Sequence, residues 1–163
     1  MLLNGILFNS EIWYNVKEEK VHKLSSVDEY LIQSVLGVPS KTPKEALFLE
    51  SGCIPVKYLL KMRRLMYLHH ILRRPRNELI RKFYDAQKCK ISKGDWAQMV
   101  QDDLKELNLE INDEEISQLS KHKFKKILKK HIITAAFNYL MKKNISEIGN
   151  TKLSKIDSGL TNE

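Results

Sequence analysis

Arg63, Tyr67, His70 and Arg74 fall at i, i+4, i+7 and i+11. That spacing marks one narrow helix face, on which two guanidinium groups flank a phenol and an imidazole. Such a stripe suits a phosphate backbone, because Arg pairs with phosphate oxygens through a rigid fork while Tyr67 stacks on a base or sugar. The same spacing also fits a solvent edge carrying two arginines and a half-buried tyrosine. Arg64, Arg73, Arg76 and Arg81 lie around the stripe, and a second block supplies Lys123, Lys126 and Lys130. Together these are the candidate nucleic-acid contacts.

Other chemistries have little support. The chain holds no Gly-rich phosphate loop, no G-x-S-x-G elbow, no H-E-x-x-H and no Cys at a suggestive distance from a His. Asp102-Asp103 is similar to the aspartate pair with which reverse-transcriptase-type polymerases hold two metal ions. Those enzymes carry an aromatic where Val100 stands here, however, and Trp96, Val100, Leu104 and Leu107 recur at helical spacing rather than on a strand hairpin. His69 and His70 are neighbours and point to different sides of a helix, so they do not share a metal. His69 falls on the apolar side and reads as a hydrogen-bonded core residue. Cys53 and Cys89 are too few for a zinc site or a disulfide framework and read as reduced thiols. No metal, no cofactor and no enzymatic activity are expected.

Charge is distributed in blocks. The 163 residues carry a net charge of +8, yet Lys57 to Lys90 alone holds +9 and Lys121 to Lys130 holds +6, leaving −7 for the rest. Localised positive charge favours polyanions, of which nucleic acid is the commonest inside cells. A solvated helix face is the plainer account, and it suits the lysine block better than the arginine-rich one. No uncharged apolar run approaches the roughly 20 residues a membrane span needs. A basic amphipathic helix on an anionic membrane would want Trp or Phe at its apolar rim and a detachable end, so no membrane partner is expected. Met1 to Phe8 is apolar but lacks a basic leader and a cleavage site. The expectation is an intracellular protein, with no signal choosing between nucleus and cytoplasm.

The elements that must position these residues are helical. Thr42-Pro43-Lys44-Glu45 combines a cap, a helix-starting proline and an acid, and Ser51-Gly52 supplies a stop. Further starts are read at Pro55, Asn77, Ser92 with Asp95, Asn112 with Glu115, and Ser120. The result is an all-α irregular bundle of about seven helices in one domain over residues 1–145, with a flexible polar tail at 146–163. Pro55 to Arg74 is apolar on nearly every side. Tyr58, Leu59, Met62, Leu65, Met66 and Leu72 cover one broad face and Leu60, Leu68 and Ile71 much of the other, so this segment is the predicted central helix. By contrast, Phe124, Ile127, Leu128, His131, Ile132 and Ala135 make a single face opposite Lys123, Lys126 and Lys130, which describes an amphipathic surface helix.

Several stretches taken together resemble a known family. Leu2-Leu3-Asn4-Gly5 through Glu11-Ile12-Trp13 is similar to the Leu-Leu-x-Gly, Glu-x-Trp stretch that follows the polymerase domain of non-long-terminal-repeat (LINE-like) retrotransposon reverse transcriptases. The order then continues with Val27-Asp28, Leu36-Gly37, the segment Ser40 to Gly52, and Arg63-Arg64-Leu65-Met66-Tyr67-Leu68. The likeness covers about residues 1 to 90 and, through Gly94-Asp95-Trp96 and Ala135-Ala136-Phe137, extends to about residue 145.

The resemblance implies a helical, thumb-adjacent connector region without the family's polymerase aspartates or nuclease, none of whose catalytic residues maps onto this chain. It implies a non-catalytic fragment that contributes sequence-tolerant template–primer binding. The alternatives are a protein-interaction connector packing on a polymerase domain or other protein, and a remnant with no present function.

Overall fold

Local side-chain chemistry sets several helix boundaries in the computed structural model, which describes residues 5–13, 18–90 and 94–159, with side chains up to residue 145. A single 3-10 turn at Ser10–Ile12 precedes α1 (Glu18–Leu36), α2 (Lys44–Ser51), α3 (Val56–Leu72) and α4 (Leu79–Cys89). The chain continues through α5 (Trp96–Glu106), α6 (Asp113–Gln118) and α7 (Lys121–Gly159). Among the described residues there are seven α-helices and no strand, the all-α bundle expected from the pattern.

The start of α6 is a complete capping box. The Asn112 side chain accepts from the Glu115 N–H at 2.8 Å, and the Glu115 carboxylate accepts from the Asn112 N–H at 3.0 Å. Ser120 caps α7 by accepting from the Lys123 N–H at 3.3 Å. Gly52 ends α2 with φ of +65°, a conformation that costs glycine nothing. Two expectations need correction. The Thr42 hydroxyl donates to the Pro39 carbonyl at 2.7 Å instead of capping α2, because Pro43 already occupies the cap position. Glu78, not Asn77, precedes α4. The backbone of α7 is helical to Gly159.

As its all-round apolarity predicts, α3 is the hub. It packs against the 3-10 turn, α1, α4, α5, α6 and α7. Leu65, Leu68 and Ile71 meet Val100 of α5, Ile116 of α6, and Phe124, Leu128 and Ile132 of α7 in the main core. Two smaller cores flank it, one joining Ile32, Leu47, Phe48 and Leu140, the other joining Leu7, Val56 and Leu60. Leu59, Met62 and Met66 were read as core on the broad face of α3, but all three are only partly buried. The buried positions of α3 include Tyr58, Leu60, Leu65, Leu68, Ile71 and Leu72.

Three helix ends are closed by side chains from elsewhere in the chain. Arg81 donates from Nη1 to the Leu72 carbonyl that ends α3, at 2.9 Å. His131 meets the Leu107 carbonyl after α5 through Nδ1 at 3.0 Å, and His69 meets the Leu119 carbonyl after α6 through Nε2 at 2.9 Å. A carbonyl only accepts, so each of those ring nitrogens carries the proton. These donors satisfy the carbonyls that a helix end leaves without partners. His69 is the hydrogen-bonded core histidine expected, with its ring stacked 5.1 Å from that of Phe124.

Candidate nucleic-acid interface

One side of α3 is committed to the interior. Arg64 Nη1 pairs with Asp103 Oδ2 of α5, and Lys61 Nζ reaches Asp103 Oδ1 at 2.7 Å and Glu106 at 3.0 Å. Lys57 extends the ladder to Glu106 at 3.8 Å, with its ammonium 3.5 Å from the centre of the Tyr139 ring. Burial pulls the Lys61 pKa down, but Asp103 and Glu106 outweigh it and hold the ammonium above its ordinary value. Burial likewise works against the Glu106 carboxylate, yet Lys61 and Lys57 hold its pKa below the usual range. For Lys57 burial dominates and lowers the pKa. Asp102, one residue along the helix, faces solvent and accepts from Gln98 at 2.8 Å. The two aspartates thus point apart, and one is already neutralised by two cations.

An adjacent face of α3 carries the stripe read from the sequence. Arg63 Nη1 donates to the Leu7 carbonyl at 3.0 Å, and the same nitrogen lies 3.9 Å from Glu11 Oε2. The Tyr67 and His70 rings are near-parallel, 17° apart with centroids at 6.1 Å. Arg74 Nη2 donates to His70 Nε2 at 3.2 Å, which leaves the His70 proton on Nδ1. Tyr67 also stands edge-on to Trp96, at 5.9 Å and 87°. Trp96 is in turn tied down by its Nε1–H, which donates to the Glu11 carbonyl at 2.9 Å.

An open cleft of about 860 Å³ runs along this stripe. Leu59, Met62 and Met66 contribute its apolar surface, Arg63, Arg73 and Arg74 line it from α3 and the residues just after, and Lys121 and Lys125 line it from the first turns of α7. Glu11 is the one carboxylate among the described residues lining it. Five cations around one acid make a concave anion-attracting surface, and low-dielectric walls strengthen its field.

The candidate residues therefore divide. Arg63, Tyr67, His70, Arg73 and Arg74 share the cleft. Arg76 is exposed in the following turn, outside the cleft lining. Arg64 is a correction, since it is 6% exposed and bound to Asp103, out of reach of a phosphate. Arg81 is a second correction, because its guanidinium, with the side chain 11% exposed, is held by the Leu72 carbonyl and Asp85. Lys123, Lys126 and Lys130 are exposed on α7 but do not line the cleft.

Lys121 and Lys125 were overlooked by the sequence reading. Their i, i+4 spacing beside Phe124 and Leu128 was the available signal, because it places both on the flank of the buried stripe rather than opposite it. The two basic blocks therefore meet along one edge, through residues other than those the amphipathic pattern singles out.

Among the described residues no group of three His, Cys, Asp or Glu side chains is placed to hold a metal ion, and no helix is long and apolar enough to cross a membrane. The described residues form an all-α bundle with a basic cleft. No protein-family model, no curated protein and no solved structure matches the chain.

Proposed function

We propose that the protein is a non-catalytic helical module that binds the sugar–phosphate backbone of nucleic acid along the cleft between α3 and α7. The supporting observation is the convergence of Arg63, Arg73, Arg74, Lys121 and Lys125 from two separate basic blocks on one concavity. Backbone pairing of this kind is tolerant of sequence and weakens steeply with salt, because each neutralised phosphate releases counterions. The resemblance to the post-polymerase region of LINE-like retrotransposon reverse transcriptases gives this reading a context, in which the module helps hold a template–primer inside the cell.

Fluorescence anisotropy with a primer–template duplex and a single strand, at low and moderate salt, tests it. Charge reversal of Arg73, Arg74 and Lys125 is expected to abolish low-salt binding, while reversal of Lys123, Lys126 and Lys130 leaves most of it. Affinity that persists unchanged in high salt, or that depends on the second trio rather than the first, sinks the proposal.

A connector role is the second reading. It is favoured by Ile133, Phe137, Met141 and Ile145, which recur every four residues along α7 and are all exposed. A monodisperse monomer that unfolds cooperatively would count against it.

A further inference from the structure

Tyr67 also lines a second cavity of about 440 Å³. Its wall combines the aromatic rings of Tyr67, Phe83, Tyr84 and Trp96 with three isoleucines, and its polar members are Gln87 and Asp95. The volume falls within the range of about 300–1,000 Å³ common for small-molecule sites. We infer that this pocket is a nucleobase subsite, so that the protein selects single-stranded nucleic acid whose backbone lies in the basic cleft and one of whose unpaired bases enters beside Tyr67. The inference rests on the backbone-binding reading above and narrows it to a substrate class.

Three observations carry the assignment. Tyr67 lines both cavities, so a chain held by Arg63 and Arg74 passes directly over the rim of the pocket. Phe83 is 64% exposed at the pocket, an aromatic face left in water that a stacked base would cover. The rings are also held in place before any ligand arrives. Trp96 is fixed by its bond to the Glu11 carbonyl and flanked edge-on by Tyr67 and Tyr84 at 5.9 and 6.0 Å.

Stacking on aromatic side chains is the usual means of holding unpaired bases, and it is unavailable to bases buried in a duplex. The amide of Gln87 offers both a donor and an acceptor to a base edge. An apolar protein side chain would fit the aromatic wall too, but it would leave the adjoining cationic cleft without a counter-charge.

The test compares three probes on the full chain: a single strand, an abasic strand of equal length, and a blunt duplex. The base-bearing strand is expected to bind about tenfold more tightly than the abasic one, the scale of a single base–aromatic stack. Phe83→Ala should erase that ratio while leaving the salt slope unchanged. Emission from Trp96, read in a Trp13→Phe background, should be quenched by the base-bearing strand alone.

Equal affinity for the two strands, or an undiminished ratio in Phe83→Ala, overturns the subsite while leaving backbone binding in place, and would hand the pocket to a protein side chain. Failure of every probe to bind at low salt overturns both readings together.

Discussion

Arg64 of α3 and Asp103 of α5 form an ion pair inside the bundle, with 6% and 2% of their surfaces exposed. The pair fixes the register of the two helices, and Lys61 braces the second carboxylate oxygen of Asp103. Arg64, expected as a phosphate contact, and Asp103, from the adjacent aspartate pair, are thus each other's partners.

Asp103→Ala is therefore expected to destabilise the fold by about 3–5 kcal/mol, because it strands a buried guanidinium. Asp102→Ala should change stability by less than about 0.5 kcal/mol, as surface substitutions do. Urea denaturation of the two variants checks the contrast. Joint replacement, Arg64→Met with Asp103→Leu, should recover most of the loss, since an apolar pair of similar volume is often as stable as the ions it replaces. Equal effects at positions 102 and 103 would disprove the assignment.

His69→Phe keeps a ring against Phe124 but removes the donor that serves the Leu119 carbonyl. The expected cost is about 1–3 kcal/mol, the penalty for leaving a buried acceptor unpaired. Thermal unfolding should show it as a lowered midpoint, with His122→Ala, an exposed position at the start of α7, close to the parent.

Asp28 of α1 makes stability depend on mild acid. Burial, and secondarily the neighbouring negative charge of Glu29, push its carboxyl up to about 6. Its Oδ2 has no hydrogen-bond partner among the described residues. Between about pH 4 and pH 6 the folded chain keeps the proton that the unfolded chain has released, so stability falls as pH rises through that window and is regained on acidification from 7 to 5. Asp28→Asn should flatten this slope and raise stability at pH 7 by about 3 kcal/mol, given roughly 1.4 kcal/mol for each pKa unit. Chemical denaturation of both proteins at pH 5 and pH 7 measures the difference. An identical slope in the two would refute it.

What could be read from sequence was what depends on near neighbours along the chain. Asn112 and Glu115 are three residues apart, so their capping box forms wherever the segment turns helical. Periodicity placed Phe124, Leu128 and Ile132 in the core, and apolarity on all sides made Val56–Leu72 the hub, because burial follows helix geometry directly. His69 was recognisable as core for the same reason.

Arg63 and Arg64 show where that reasoning stops. They are identical in type and adjacent, yet one lines a cleft and the other is sealed against Asp103, a partner 39 residues away on α5. Only the docking of α5 against one side of α3 separates them. Likewise, Lys121 and Lys125 belong to the cleft while Lys123, Lys126 and Lys130 do not, because the rotation of α7 is set by packing of Phe124 and Leu128 against the other helices. The sequence by itself thus determined most of the helix starts, the hub and the buried stripe of α7. The tertiary structure decided which charges meet, since that depends on how separate helices are turned toward one another.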